Sequence, residues 1–364
     1  MTQPNPEFTV KTAPEQRVLA ARRVLKDQAA IRREITSLRP EGSGPPIARL
    51  IAATPEGEYD VELAFPVPHG TRMEGFEETV YPAMPSLSYT HTGPLRGESE
   101  ESTFPEAWGQ LIAFVRERKL LLGDDPSRYV YIEGPETHGE DASRYVTELL
   151  IPYHFPVWLA ALEQGVRQLA GADAAARVME GSEGLAEALD GDRAARWVQA
   201  AVSRLDEAVP DGLTRASILN ACAHHYLIGS AERLQRANEE VKGDLRALVA
   251  KITDDELLGG KYWIEESSPD PLLMIERRPA RMEAYEQATD PAEKRYQACF
   301  CPLVRDAIRK GETVSRTFCH CSGGWYVQEW EPILGEKPRV TLVRTMLEGA
   351  DSCLFAVHIP PGRL

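Results

Sequence analysis

The chain has no hydrophobic run long enough to cross a membrane. Its longest uninterrupted apolar stretch, Phe155 to Leu162, is far short of the roughly 20 residues that a spanning helix needs. It also lacks an excess of basic residues: of 364, 41 are Lys or Arg against 56 Asp or Glu, a formal charge of −15. That balance leaves no broad cationic surface for nucleic acid or anionic lipid. Met1 to Val10 contains neither a basic patch nor an apolar core, which excludes a secretory signal peptide and points to a cytoplasmic protein. The six cysteines are then expected as thiols or metal ligands. No glycine-rich nucleotide loop, no Gly-x-Ser-x-Gly elbow and no His-Glu-x-x-His is found, so the usual signatures of nucleotide hydrolysis, serine esterases and zinc proteases are missing.

What is present is a short internal repeat. Tyr59-Asp60-Val61-Glu62-Leu63-Ala64-Phe65-Pro66 returns as Tyr145-Val146-Thr147-Glu148-Leu149-Leu150-Ile151-Pro152, with Tyr, Glu, Leu and Pro in register. Each copy has similar company upstream. In the first half Arg17 to Val24 reads as a strand and Gln28 to Leu38 as a helix, with Ile31, Ile35 and Leu38 at helical spacing. Gly42 to Pro46 then turns, and Ile47 to Ala53 reads as a strand. In the second half the strand Ala83 to His91 leads to the helix Phe104 to Arg118, with Trp108, Leu111, Ile112 and Val115 on one face. The strands Arg128 to Glu133 and Tyr145 to Ile151 follow. Both halves are strand, helix, strand, strand. A duplicated unit of this kind is expected to pack around a pseudo-twofold axis with a small-molecule cleft at the junction. Glu98 to Glu101 reads as a solvated acidic turn.

Beyond Pro152 the texture becomes Ala-, Leu-, Arg- and Glu-rich up to Ile252, which predicts a helical layer. Leu213 to Ile252 reads as one long helix or two, with His224 and His225 in its middle, where adjacent residues diverge by about 100° and cannot chelate one ion together. After Gly259-Gly260 and the Pro-containing stretch Ser268 to Pro279, a helix is expected over Pro291 to Lys310. Strands follow at Thr313 to His320, Arg339 to Thr345 and Cys353 to Ile359, with a short helix near Gln328 to Leu334. The fold class is therefore α+β. The expected domains are 5–155, the duplicated unit with a central cleft, and 156–364, a helical layer followed by antiparallel strands.

Several of these residues carry a resemblance. Gly44-Pro45-Pro46, Tyr59 to Leu63 with Phe65-Pro66-Val67, His91-Thr92-Gly93-Pro94, Tyr131 with Gly134-Pro135, and Thr147-Glu148-Leu149 with Pro152 resemble the GyrI-like small-molecule-binding domain, also called the bacterial transcription-activator effector-binding domain. The resemblance implies two strand–helix–strand–strand units around a ligand cleft, with the Glu of the last strand at its base and aromatic walls. By position that Glu is Glu148, with Tyr131, Trp108, Tyr89 and Phe65 as wall residues and Glu62 facing the cleft from the other copy. A carboxylate among aromatic rings attracts a lipophilic cation by charge pairing and cation–π contact. Some stand-alone relatives are hydrolases, so the resemblance also implies an alternative in which Glu148 acts as acid/base and the Tyr131 hydroxyl assists. No DNA-binding helix-turn-helix segment is expected here.

Cys299-Phe300-Cys301 and Cys319-His320-Cys321 are two C-x-C pairs, and four thiolates are able to hold a tetrahedral Zn²⁺. If the second pair lies in a strand, Cys319 and Cys321 share one face; the alternative is that all four are buried small hydrophobes. The run Phe318 to Tyr326, with Trp330-Glu331, Ile333-Leu334-Gly335 and Gly349 to Phe355, is similar to L-2-amino-thiazoline-4-carboxylic acid hydrolase-like proteins and to the vinyl-reductase-type ligand-binding domain. The expected function is binding of an aromatic or cationic small molecule, for sequestration or sensing. The alternatives are a detoxifying hydrolase and a thiol or metal sensor. The expected partner is a small-molecule ligand, with no membrane and with homo-oligomerisation left open.

Overall fold

The computed structural model describes residues 8–53, 57–100, 102–266 and 270–364. Residues 5–7 of the expected first domain, Glu101 of the acidic turn and residues 268–269 of the Pro-containing stretch lie outside them. Contacts divide the chain into two compact units, one of Met1–Arg118 with Leu122–His154 and one of Lys119–Leu121 with Phe155–Leu364. Among the described residues no helix is long and apolar enough to cross a membrane.

The first unit contains strands β1 (Thr9–Ala13), β2 (Gln16–Leu25), β3 (Ile47–Ala53), β4 (Tyr59–Pro66), β5 (Glu77–Tyr81), β6 (Met84–Thr92), β7 (Arg128–Glu133) and β8 (Val146–Pro152). Helix α1 (Gln28–Ser37) joins β2 to β3, α2 (Phe104–Glu117) joins β6 to β7, and the single turn α3 (Pro135–His138) follows β7. Local chemistry sets the helix starts. Asp27 caps α1 by accepting the Ala30 amide at 2.7 Å, and α2 begins at a proline in its first turn, where no amide partner is needed. Ile31 and Ile35, one turn apart, then fix the buried side of α1.

The eight strands form one antiparallel sheet in the order β1-β6-β8-β7-β3-β4-β2-β5. The central six are β6-β8-β7 followed by β3-β4-β2, so the two strand–helix–strand–strand units are related across the β7–β3 pair. The two outer strands are exchanged. β1 precedes β2 in the chain but pairs with β6, and β5 precedes β6 but pairs with β2. Only Pro82 and Ala83 separate β5 from β6, a link spanning about 11 Å at most. Their places in the sheet would be about 29 Å apart if it were flat. The sheet is therefore rolled, and Tyr81 at the end of β5 reaches Arg49 on β3 and Arg128 on β7. The helices pack on the outside of this roll, where Ile31, Ile35 and Phe104 join Val61, Leu63, Phe65, Tyr129 and Leu149. Val18, Ala20, Ile47, Ala64 and Tyr81 pack together on the inside.

The second unit runs through α4 (His154–Ala170), α5 (Ala172–Val178), α6 (Gly191–Ala208), α7 (Gly212–Asn220), α8 (Ile228–Glu240) and α9 (Leu245–Asp254). A hairpin of β9 (Gly260–Glu265) and β10 (Leu272–Arg277) follows, then α10 (Met282–Gln287), α11 (Pro291–Ala298), α12 (Arg305–Lys310), α13 (His320–Leu334), β11 (Val340–Arg344) and β12 (Leu354–His358). The sheet order is β11-β12-β10-β9, all antiparallel. Leu248, Ile252, Tyr326, Trp330 and Ile333 pack on it against Leu273, Ile275, Phe355 and Val357.

Four expectations are corrected. Leu213 to Ile252 is three helices, and His224 and His225 lie in the connection between α7 and α8. The helix expected over Pro291 to Lys310 breaks at Cys299, before Pro302, which cannot continue it. Thr313 to His320 is not a strand: Arg316–Cys319 is a 3₁₀ turn leading into α13, started by Ser315, whose hydroxyl accepts the Thr317 amide. Glu98 is not a solvated turn residue but is buried and paired with Arg32.

Candidate functional site

Side chains of directly paired residues in an antiparallel ladder share a face. Glu148 is paired with Thr90 on β6 and with Val130 on β7, and Val130 packs against the inner clusters of the roll. Glu62 is paired with Arg22 and Arg49, and Ala64, two residues on, belongs to the same interior. The two repeat-related glutamates therefore both face inward.

Their surroundings differ. Glu62 accepts a hydrogen bond from Tyr81 at 2.5 Å and pairs with Arg49 at 2.7 Å. The Arg49 guanidinium lies 4.5 Å from the centroid of the Tyr81 ring. Burial, then the Glu62 carboxylate, raises the Tyr81 phenol above its ordinary value. Glu148 accepts from the Ser88 hydroxyl at 2.6 Å and from Lys11 on β1 at 2.5 Å. Its side chain is 13% exposed and that of Lys11 is 43% exposed. Where Glu62 has an arginine on each neighbouring strand, Glu148 has a threonine and a valine. Its counter-ion is a half-exposed lysine from the outermost strand, on a flexible four-carbon stem.

The expected aromatic walls are elsewhere. Tyr131 is paired with Thr147 and Tyr89 with Leu149, one residue out of step with Glu148, so both point to the outer, helix-covered side. Phe65, Tyr89, Tyr131 and Trp108 all pack in the outer cluster. Phe65 lies 5.5 Å from Phe76, Tyr89 lies 5.6 Å from Phe8, and Trp108 lies 6.2 Å from Phe104, centroid to centroid. Tyr131 is 3% exposed and its hydroxyl has no hydrogen-bond partner among the described residues; burial raises it well above the ordinary phenol value. The structure thus brings Glu62 and Glu148 to one interior but separates them from the four aromatics by the thickness of the sheet. Tyr131 instead stacks on Arg32, whose guanidinium lies between the rings of Tyr131 and Tyr145 at 4.7 and 4.8 Å. Arg32 also pairs with Glu98 and donates to Thr147 at 2.9 Å. On the outer face, a guanidinium of the chain itself occupies the tyrosine cage.

Residues missed in the sequence are Tyr81, Ser88, Lys11, Arg49 and Arg128. A signal existed for Arg49 and Arg128, because both stand on the strands that flank the repeat axis. Lys11 and Tyr81 belong to β1 and β5, which carry no apolar alternation. A shallow depression on α1, lined by Ala30, Arg33, Glu34, Ser37 and Leu38, involves none of the expected site residues.

In the second unit all six cysteines are free thiols. Burial raises Cys299 to about 11 and Cys321 to about 12, and it raises Cys301 and Cys319 as well, so each is held as a neutral thiol. Among the described residues no group of three or more His, Cys, Asp or Glu is placed to hold a metal ion. The physical reason is the helix: Cys319 closes a 3₁₀ turn and Cys321 lies in the first turn of α13, where two positions along turn the side chain by about 200°. Cys319 is in hydrogen-bond contact with Thr345 at 3.2 Å.

Residues 6–154 match the family model described as the GyrI-like small molecule binding domain. Among solved structures, the EcmrR C-terminal domain is 20% identical, with a TM-score of 0.34, covering 40% of this chain and 96% of that one. SAV2435 bound to tetraphenylphosphonium is 10% identical, with a TM-score of 0.29, covering 40% and 93%. A hydrolase from Listeria innocua is 12% identical, with a TM-score of 0.30, covering 42% and 93%. No curated protein matches. The resemblances expected for the C-terminal half are not confirmed by these matches. The rolled, duplicated sheet and the family match agree on the same segment: residues 6–154 of this chain form a GyrI-like small-molecule-binding domain.

Proposed function

We propose that the interior of the rolled sheet takes up a lipophilic cation or an aromatic compound with a basic group, and that Glu148 is its counter-ion. The observation that carries this reading is the weak guarding of Glu148. It is largely screened from water, yet its charge partner is a half-exposed lysine that a ligand cation can displace without leaving a cation buried. A displaced Lys11 swings into solvent at little cost, and a cation entering a dry interior gains far more from one carboxylate than it would in water. Retention of the ligand unchanged, as in sequestration or sensing, is the function this supports. The hydrolytic reading loses its second group, because the Tyr131 hydroxyl is on the opposite face of the sheet from Glu148.

The test is titration of the full chain with a panel of aromatic monocations, followed by mass spectrometry of the recovered ligand. Wild type is expected to bind at least one member and to return it unaltered, and Glu148→Gln is expected to bind it roughly 10- to 100-fold more weakly. Equal affinity in wild type and Glu148→Gln, or a hydrated product at more than stoichiometric amounts, overturns the reading.

A further inference from the structure

One cation on the inward face of the roll stands apart from the ion pairs there. Among the described residues, Lys11 is paired with Glu148 and Arg49 with Glu62, and Arg22 at the same face is paired with Asp60. Arg128 has no carboxylate partner among them. Its ladder partners are Leu150 and Arg49, which places it on the inward face, and only 3% of the residue is exposed. One nitrogen, Nη2, donates to the Pro82 carbonyl at 2.8 Å. Nε and Nη1 are buried with no hydrogen-bond partner among the described residues. The guanidinium lies 5.2 Å from the centroid of the Tyr81 ring, the ring that Arg49 also approaches. Burial, and then the like charge of Arg49, holds it below its ordinary value, with Tyr81 and then Asp125 acting in the opposite sense.

A buried guanidinium with two idle nitrogens is costly unless something completes it. The repeat makes the position more telling. Arg128 and Ile47 hold equivalent places about the β7–β3 axis, so one half of the roll has an apolar residue where the other has an unpaired cation.

We propose that Arg128 is the anchor for one carboxylate group of the ligand, so that the roll selects an amphoteric compound with a basic group at Glu148 and an acid at Arg128. This rests on the reading that the roll interior is the ligand site. On β7 and β8, Arg128 and Glu148 are diagonal neighbours, since Leu150 faces Arg128 and Val130 faces Glu148, a separation of about 7–8 Å between side-chain origins. An amphoteric ligand whose basic and acidic groups stand at opposite ends of a short apolar body spans that distance, with Val130 and Leu150 flanking the body. One unpaired cation calls for a single negative charge, which a carboxylate supplies.

The experiment uses the full chain and three probes with one aromatic body: naphthoate, naphthylmethylammonium and aminomethylnaphthoate, the last with its ammonium and carboxylate at opposite ends of the ring system. Affinities are measured for wild type, Arg128→Gln, Arg128→Lys and Glu148→Gln, with melting temperatures to confirm folding. Aminomethylnaphthoate is expected to bind wild type most tightly. Arg128→Gln should weaken naphthoate and aminomethylnaphthoate about 10- to 100-fold and leave naphthylmethylammonium unchanged, with Arg128→Lys in between. Occupancy by naphthoate should raise the melting temperature of wild type and not that of Arg128→Gln. Binding of the ammonium probe alone, or equal loss of all three probes in Arg128→Gln, overturns the carboxylate anchor while leaving the ligand site standing. Failure of all three probes to bind wild type, with the panel of monocations also silent, removes the ligand site and the anchor with it.

Discussion

Glu329 lies in the buried stretch of α13, and burial raises its carboxyl to about 8, against the opposing influence of Arg277 and the polar groups of Tyr262, Trp330 and Tyr226. Its Oε1 has no hydrogen-bond partner among the described residues, and with the carboxyl raised to about 8 the proton stays on at neutral pH. The consequence for stability follows from linkage. Between the ordinary value of 4.5 and about 8 the folded chain holds a proton that the unfolded chain has lost, so stability falls as pH rises through that window. The slope is at most about 1.4 kcal/mol per pH unit, and it vanishes above the folded value. Glu329→Gln is expected to flatten this dependence and to be the more stable form at pH 8. Thermal melts from pH 5 to 9 check it, and parallel curves for the two proteins would mean that Glu329 is not the group responsible. At the same scale, residue type was a poor guide to placement. Glu98 stands in an acidic cluster, yet it is the buried counter-ion of Arg32, because a guanidinium from α1 had to be neutralised inside the outer core.

At the scale of elements, the short run Ser322-Gly323-Gly324-Trp325 shows what a sequence pattern conceals. An added Cβ at Gly324 would lie 1.9 Å from the Asn220 carbonyl oxygen, and one at Gly323 would lie 2.9 Å from the Asn220 side-chain oxygen. The two glycines let α13 meet the end of α7 backbone to backbone. Gly324→Ala is therefore expected to destabilise the chain by about 2–4 kcal/mol, since a backbone atom cannot step aside as a side chain can. Gly109 in the middle of α2 is the control, with nothing within 4 Å of its would-be Cβ. Gly109→Ala should stabilise by about 0.5–1 kcal/mol. Urea denaturation of both variants decides, and a neutral Gly324→Ala would contradict the close approach. The β-prone residues before this motif suggested a strand, and the long-range packing of α7 that makes the segment helical is invisible in a local window. The strands and helices of the repeat were legible for the converse reason. Ile31 and Ile35, or Val61, Leu63 and Phe65, bury one face each, and the period of the apolar residues matches the element they form. β1 and β5 were not legible, because they are outer strands whose residues are mostly exposed and therefore under no demand to alternate.

For the first unit as a whole, the exchange of β1 and β5 between the halves is what closes the roll and delivers Lys11 and Tyr81 to the interior. It also makes the duplicated glutamates unequal. The repeat was readable from Tyr, Glu, Leu and Pro in register, but the inward direction of Glu148 and the outward direction of Tyr131 depend on pairing registers that no spacing reveals. The inequality has a measurable result. Glu62 is held by Arg49 and the Tyr81 hydroxyl, so it is a structural charge: Glu62→Gln should leave cation binding unchanged and lower stability, because Arg49 would then lose its partner. Glu148 competes for its cation, so Lys11→Met should tighten binding of an aromatic monocation about 3- to 10-fold by removing the internal competitor, the order of one partly exposed ion pair. Titration of wild type, Lys11→Met and Glu62→Gln with one monocation, alongside thermal melts, separates the two glutamates. Weaker binding in Lys11→Met would mean that the lysine helps to build the site, and weaker binding in Glu62→Gln would place the ligand at the other half of the roll.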